Sequence, residues 1–266
     1  MNRTTEQALS KVPEVTLIFW IIKVAATTLG ETGGDAVSMS MNLGYLVGTA
    51  IFAIIFIFAV AAQIKARNFH PFLYWTTIIA TTTVGTTLAD FADRSLGIGY
   101  AGGATLLFIL LMASLSIWYW SLGSVSVDTV NSPAVEMFYW ITIMFSQTLG
   151  TAFGDWTADT AGIGYGGGAI VFSVLLGLVV VAYYWTNISR TLLFWVAFIL
   201  TRPLGAVVGD FLDKPISAGG LALSRYSASA ALLVIIIACI LIFPQRTPRS
   251  SGPSYALKKP LAEDEI

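Results

Sequence analysis

The chain has 266 residues, 56% of them hydrophobic and only 11% charged, with 14 Lys and Arg against 15 Asp and Glu, and its mean hydropathy is +0.78. Soluble domains carry charge on about a quarter of their residues, so this composition excludes an ordinary soluble globular protein and describes an all-α integral membrane protein. Near-zero net charge argues against nucleic acid as a partner; a lone Cys239 in an apolar run and a lone His70 in a polar turn give no basis for disulfides, His-ligated haem or a Cys/His zinc site.

The segment Met1 to Lys11 is polar and lacks the basic, apolar, small-residue order of a signal peptide, so residues 1–12 read as a cytoplasmic segment ahead of the first span. A spanning helix needs about 20 mainly apolar residues, and eight stretches qualify: about 14–36, 43–64, 71–93, 99–121, 134–157, 164–186, 191–212 and 225–244. They make one transmembrane domain over 13–245, and 246–266 form a polar tail.

The spans are repeats. Thr27-Thr28-Leu29-Gly30 runs to Asp35, Thr82-Thr83-Val84-Gly85 to Asp90, Gln147-Thr148-Leu149-Gly150 to Asp155, and Arg202-Pro203-Leu204-Gly205 to Asp210. The motif glycines lie 55, 65 and 55 residues apart, so the chain is also two similar halves offset by 120. Ten residues before each glycine stands a Trp preceded by an aromatic: Phe19-Trp20, Tyr74-Trp75, Tyr139-Trp140 and Phe194-Trp195. Seven residues after Asp90 and Asp155 come Gly97-Ile98-Gly99-Tyr100 and Gly162-Ile163-Gly164-Tyr165. Such matched spacing marks internal duplication into four units, about 13–64, 71–121, 133–186 and 190–244.

Each unit holds two spans, so all four enter the membrane in the same sense as parallel repeats. Lys65 and Arg67, Arg190, and then Arg246, Arg249, Lys258 and Lys259 follow the even spans, which places both termini in the cytoplasm and the motif ends outside. The Trp series then falls at the cytoplasmic aromatic belt. At 1.5 Å per residue, Gly30 lies about 15 Å and Asp35 about 22 Å beyond Trp20, in a hydrocarbon core about 30 Å thick. Asp93 and Asp213, three residues after motif acids, fit the water interface.

Residues four apart share a helix face. The odd spans then carry polar stripes: Lys23, Thr27, Glu31 and Asp35; Thr82, Thr86, Asp90 and Arg94; Gln147, Thr151, Asp155 and Asp159; Arg202, Asp210 and Lys214. Ionisable groups avoid lipid, so the stripes are expected to meet in an inner ring of odd helices about a pseudo-fourfold axis, with even helices outside. Six stripe acids against four stripe cations leave two negative charges, the complement of one divalent cation.

Oxygen donors suit hard cations such as Mn²⁺ and Mg²⁺. Glu31, Asp35, Asp90, Asp155 and Asp210 are the candidate metal ligands or proton carriers. Thr27, Thr82, Thr86, Gln147, Thr151 and Asp159 are auxiliary polar groups, and Lys23 and Arg202 are internal counter-charges. Lys23 is expected to share its stripe with Glu31 and to compete with an incoming ion. The motif glycines permit close helix approach or local unwinding, and Pro203 favours unwinding in the seventh span. The resulting expectation is a transporter for a divalent metal cation, Mn²⁺ before Mg²⁺, with exchange for protons as a coupling route and no permanently bound cofactor. Two alternatives stay open: a cation or proton channel on the axis, and a non-transporting scaffold or sensor in which the acids are structural ion pairs. The Thr82-Thr83-Val84-Gly85 phrase resembles a potassium-channel filter, but it ends a spanning helix with no residues left for a pore helix. No nucleophile and base constellation is visible, so enzymatic activity is not expected.

The opening Lys11-Val12-Pro13-Glu14-Val15 with Phe19-Trp20, Lys23 and Thr27-Thr28-Leu29-Gly30-Glu31-Thr32, together with the later repeats, resembles a family of bacterial integral membrane proteins known only as uncharacterised or membrane-anchored. The resemblance covers most of residues 9–245 and implies a multi-pass protein of the bacterial inner membrane. It supplies no substrate. The bilayer, a metal cation and protons are the expected partners, and assembly of several copies is compatible with the sequence.

Overall fold

The computed structural model describes residues 10–247. Most of the expected N-terminal segment and C-terminal tail lies outside the described residues. Eight long helices carry the chain: α1 (Leu17–Asp35), α2 (Gly44–Lys65), α3 (Pro71–Asp90), α4 (Tyr100–Leu122), α5 (Pro133–Asp155), α6 (Gly164–Trp185), α7 (Arg190–Asp213) and α8 (Arg225–Ile242). Their ends follow local chemistry. Thr16 caps α1 by accepting from the Phe19 amide at 3.4 Å, Pro71 and Pro133 open α3 and α5 where a missing N–H costs nothing, and Gly123 closes α4 in the left-handed region at φ 74°.

Among the described residues, five helices, α2, α4, α6, α7 and α8, are long and apolar enough to cross a membrane. The other three are the polar ones. Lys23, Glu31 and Asp35 lie on α1, threonines crowd α3, and Glu136 and Gln147 lie on α5, all turned inward. The packing order explains this inversion. α1 packs on α3, α3 on α5, α5 on α7, and α7 on α1, closing a ring of odd helices. Each even helix covers the odd helix of the following repeat: α2 lies on α3, α4 on α5, α6 on α7, and α8 returns to α1. Large apolar side chains such as Ile54, Phe58, Phe108, Leu178 and Val234 therefore face outward, as a lipid-facing surface requires.

Glycine sets the closeness of the ring. The motif Gly and the residue before the motif Asp form a small-xxx-small pair in every repeat: Gly30 and Gly34, Gly85 and Ala89, Gly150 and Gly154, Gly205 and Gly209. A Cβ on Gly30 would collide with Thr82, on Gly85 with Gln147, on Gly150 with Arg202, and on Gly205 with Thr27. Each glycine thus seats the same repeat position of the next odd helix, the close backbone approach that holds helices together where lipid gives no hydrophobic drive. Of the two readings of these glycines the structure shows close approach and no unwinding, and Pro203 sits within a continuous α7. The helical repeat loosens one turn later instead, in the π turns Ala36–Ser40, Phe91–Ser95 and Trp156–Thr160 that directly follow Asp35, Asp90 and Asp155.

Apart from Trp20, which is partly exposed, the Trp series is not an interfacial belt. Trp75, Trp140 and Trp195 are at most 3% exposed, and Phe19, Tyr74 and Tyr139 are fully buried. The Tyr74 and Tyr139 hydroxyls are 2.7 Å apart. These rings form an aromatic plug because residues 10–16 and the loop 123–132 fold across this end of the bundle. Lys11 N donates to Val130 O at 2.8 Å, Ser10 Oγ to Val127 O at 2.7 Å and Trp195 Nε1 to Val125 O at 2.9 Å. Trp120 and Trp185, near the ends of α4 and α6, are the exposed indoles.

Candidate functional site

Four-residue steps along the odd helices lead from the aromatic plug to the acids. The first tier holds Lys23, Ile78, Ile143 and Phe198, the second Thr27, Thr82, Gln147 and Arg202, the third Glu31, Thr86, Thr151 and Ala206, and the fourth Asp35, Asp90, Asp155 and Asp210. Apart from Lys23, the first tier is apolar. All sixteen side chains belong to residues no more than 3% exposed.

Arg202 is the hub. Its Nη2 donates to Glu31 Oε2 at 2.9 Å, to Thr86 Oγ1 at 2.5 Å and to Thr151 Oγ1, so one guanidinium on α7 joins α1, α3 and α5. A buried arginine needs such company, because its charge loses water on entering the bundle. Arg202 thus acts as the internal counter-charge to Glu31, whereas Lys23 does not. Its Nζ lies 4.1 Å from the centre of the Phe198 ring and has no hydrogen-bond partner. The shared stripe failed to pair it with Glu31 because the two are separated by two turns, while the Arg202 side chain reaches across from only one tier below.

Glu31, Asp35 and Asp90 place carboxylate oxygens within 4.8 Å of one another, as do Asp35, Asp210 and Asp213. Three cations thread these acids. Arg94 holds Asp90 at 2.7 Å and Asp155 at 3.6 Å; Lys214 holds Asp35 at 2.8 Å and Asp210 at 3.0 Å; Arg225 holds Asp213 at 2.8 Å and Asp35 at 3.6 Å. Partial burial opposes the charge of Lys214, but Asp210 and Asp35 together hold its ammonium above the ordinary lysine range. Six buried carboxylates (Glu31, Asp35, Asp90, Asp155, Asp210, Asp213) meet four paired cations (Arg94, Arg202, Lys214, Arg225), two more acidic than basic groups. One oxygen of Asp35 is buried without a hydrogen-bond partner.

The remaining candidates divide. Thr86 and Thr151 line the hub, and Thr86 Oγ1 also lies 3.3 Å from Glu31 Oε2. Thr27 Oγ1 is spent on backbone carbonyls, including Thr201 of α7 at 3.2 Å. Thr82 and Gln147 are buried with unpartnered polar atoms in the second tier. Asp159 is exposed, with Tyr165 as its hydrogen-bond partner at 3.5 Å, because the π turn from Trp156 swings it off the stripe. Asp213, assigned from sequence to the water interface, is buried, because α7 continues past Asp210 where the other odd helices give way to π turns. Asp213 and Arg225 were missing from the candidates. The bridging roles of Arg94 and Lys214 had a sequence signal, since both stand four residues after a motif Asp and 120 apart.

No curated protein and no solved structure matches this chain. A family model described as Repeat of Unknown Function (DUF347) matches it four times, at residues 18–69, 73–124, 138–189 and 193–247. The chain therefore belongs to this family of tandem repeats of unknown function.

Proposed function

We propose that the protein is a membrane transporter for a hard divalent cation, Mn²⁺ before Mg²⁺, which binds at the acid tier with protons as the exchanged species. The observation that carries this reading is the Glu31, Asp35 and Asp90 triad. Three buried carboxylates from two helices converge within 4.8 Å, with an unpartnered Asp35 oxygen, in a layer that holds two more acidic than basic groups. Such an all-oxygen donor set suits Mn²⁺ and Mg²⁺ rather than thiophilic metals. In this reading all eight helices span, the odd helices surround a pseudo-fourfold axis, the aromatic plug faces the cytoplasm and the acid tier faces outward in a bacterial inner membrane. Lys23 and Arg202 stand on the plug side of the acids, and the cation must pass or displace them.

The channel reading is weakened by the Arg202 hub and the aromatic plug, which obstruct the space between the odd helices at two levels. The scaffold reading is favoured by one fact, that Glu31, Asp35 and Asp90 each have a basic partner. Uptake of Mn²⁺ into liposomes holding the purified protein, with and without a pH gradient, separates the two. Asp90→Asn is expected to abolish flux in protein that still folds, because Asn retains the size but not the charge a hard cation needs. Flux equal to that of the parent, or no flux in either protein, would leave the acids as structural pairs.

A further inference from the structure

We infer that a small monovalent inorganic anion, with chloride as its simplest form, binds between Lys23 and Arg202, below the guanidinium hub and above the aromatic plug. The second tier and the lysine beneath it hold a surplus of buried donors. Among the described residues, Lys23 Nζ, Arg202 Nε and Nη1, Gln147 Nε2 and Thr82 Oγ1 all lack a hydrogen-bond partner. Gln147 Oε1 is the unpartnered atom among these side chains that can only accept. Every residue involved is fully buried.

The fold brings these groups to two adjacent levels. Thr82 and Gln147 stand one helical turn before Thr86 and Thr151, the hydroxyls that grip Arg202. Lys23 lies over Phe198, which stands one turn before Arg202 on α7. The donor surplus decides the class of ligand. Glu31 is engaged with Arg202, and Lys23 Nζ has a ring face beneath it and, among the described residues, no carboxylate within salt-bridge distance. Unpaired buried donors call for an acceptor. Arg202 stays protonated and the unpartnered donors outnumber the acceptors, which disfavours a metal ion at this level. A small anion, which only accepts, answers these donors, and the complete burial of the surrounding side chains restricts its size. The inference does not require the outer carboxylates to carry a cation.

The test is the thermal stability of the purified full-length protein in detergent, titrated with sodium chloride against sodium gluconate at matched ionic strength. Chloride is expected to give a saturable stabilisation that gluconate does not. The response should persist in Asp90→Asn and weaken at least tenfold in apparent affinity in Lys23→Met. Gln147→Leu serves as the second variant, and its affinity is expected to fall too. Crystals soaked in bromide should place anomalous density between Lys23 and Arg202. Equal response to chloride and gluconate, an unchanged affinity in Lys23→Met or Gln147→Leu, or bromide density elsewhere would overturn the assignment.

Discussion

The α1–α3 and α5–α7 junctions occupy equivalent places in the two halves of the chain, yet one gathers carboxylates and the other supplies an arginine. Where α1 has Glu31, α5 has Thr151; where α3 has Thr82, α7 has Arg202. The scaffold positions did not diverge in this way. The seating glycine, the motif Asp and the basic residue four beyond it (Arg94, Lys214) recur in both halves. Duplication therefore kept the parts that close the ring and redistributed the buried charge. The outcome is complementarity, since Arg202 of the second half neutralises Glu31 of the first.

The comparison breaks most severely if its central pair is broken. Arg202→Met strands Glu31 in the bundle and is expected to cost about 3–5 kcal/mol, measured by denaturant unfolding of the purified protein in detergent. The double variant Glu31→Gln with Arg202→Met should recover a large part of that loss. No recovery would mean that Arg202 acts through its packing on Gly150 rather than through charge.

A middle-sized effect comes from the matched glycines of the two halves. Gly150→Ala pushes a methyl group into the stem of Arg202, whose head is fixed by three partners, and against Pro203 Cδ at 3.0 Å. Gly30→Ala meets Thr82, whose hydroxyl has no partner to lose when the side chain turns. Gly150→Ala should therefore destabilise by about 1–3 kcal/mol, with Gly30→Ala toward the lower end. Gly33→Ala, where the nearest atom is Ser229 Oγ at 4.0 Å, should be neutral or slightly stabilising. Equal losses at Gly150 and Gly30 would show that the hub does not stiffen the second half.

The smallest effect is expected at Asp159. Its side chain is exposed, so Asp159→Asn should stay within about 0.5 kcal/mol of the parent and leave cation flux unchanged. A loss of flux would restore Asp159 to the site and place the π turn in a different conformation during transport.

The four-unit plan and the inward polar stripes were legible because spacing survives in sequence even where side chains differ. Four-residue steps also predicted which groups share a helix face, and Glu31, Asp35, Asp90, Asp155 and Asp210 are all buried inside the bundle. What spacing along one helix cannot give is the partner across the gap. Lys23 and Glu31 share a stripe, but the pairing partner of Glu31 came from another helix, one tier below it. The Trp residues misled for a related reason. Aromatic pairs near helix starts fit a lipid interface, and nothing local in the sequence reports that residues 10–16 and 123–132 fold over them. Asp159 was misplaced because a constant helical repeat was carried through a segment that widens after Trp156.

The packing of each even helix on the odd helix of the next repeat makes the chain a circle rather than a row. α8 has no following repeat, and it completes the arrangement by covering α1. A chain of two or three units built with the same geometry would end with a bare polar face on its first and last odd helices. The natural quantum of this architecture is thus a closed set of four. A two-helix ancestor could have satisfied its inner face only by assembling with copies of itself, and gene fusion then freed each copy to carry a different charge. By the same logic, moving the chain ends from before α1 to the 66–70 connection preserves every helix-to-helix contact, whereas deleting one unit opens the ring.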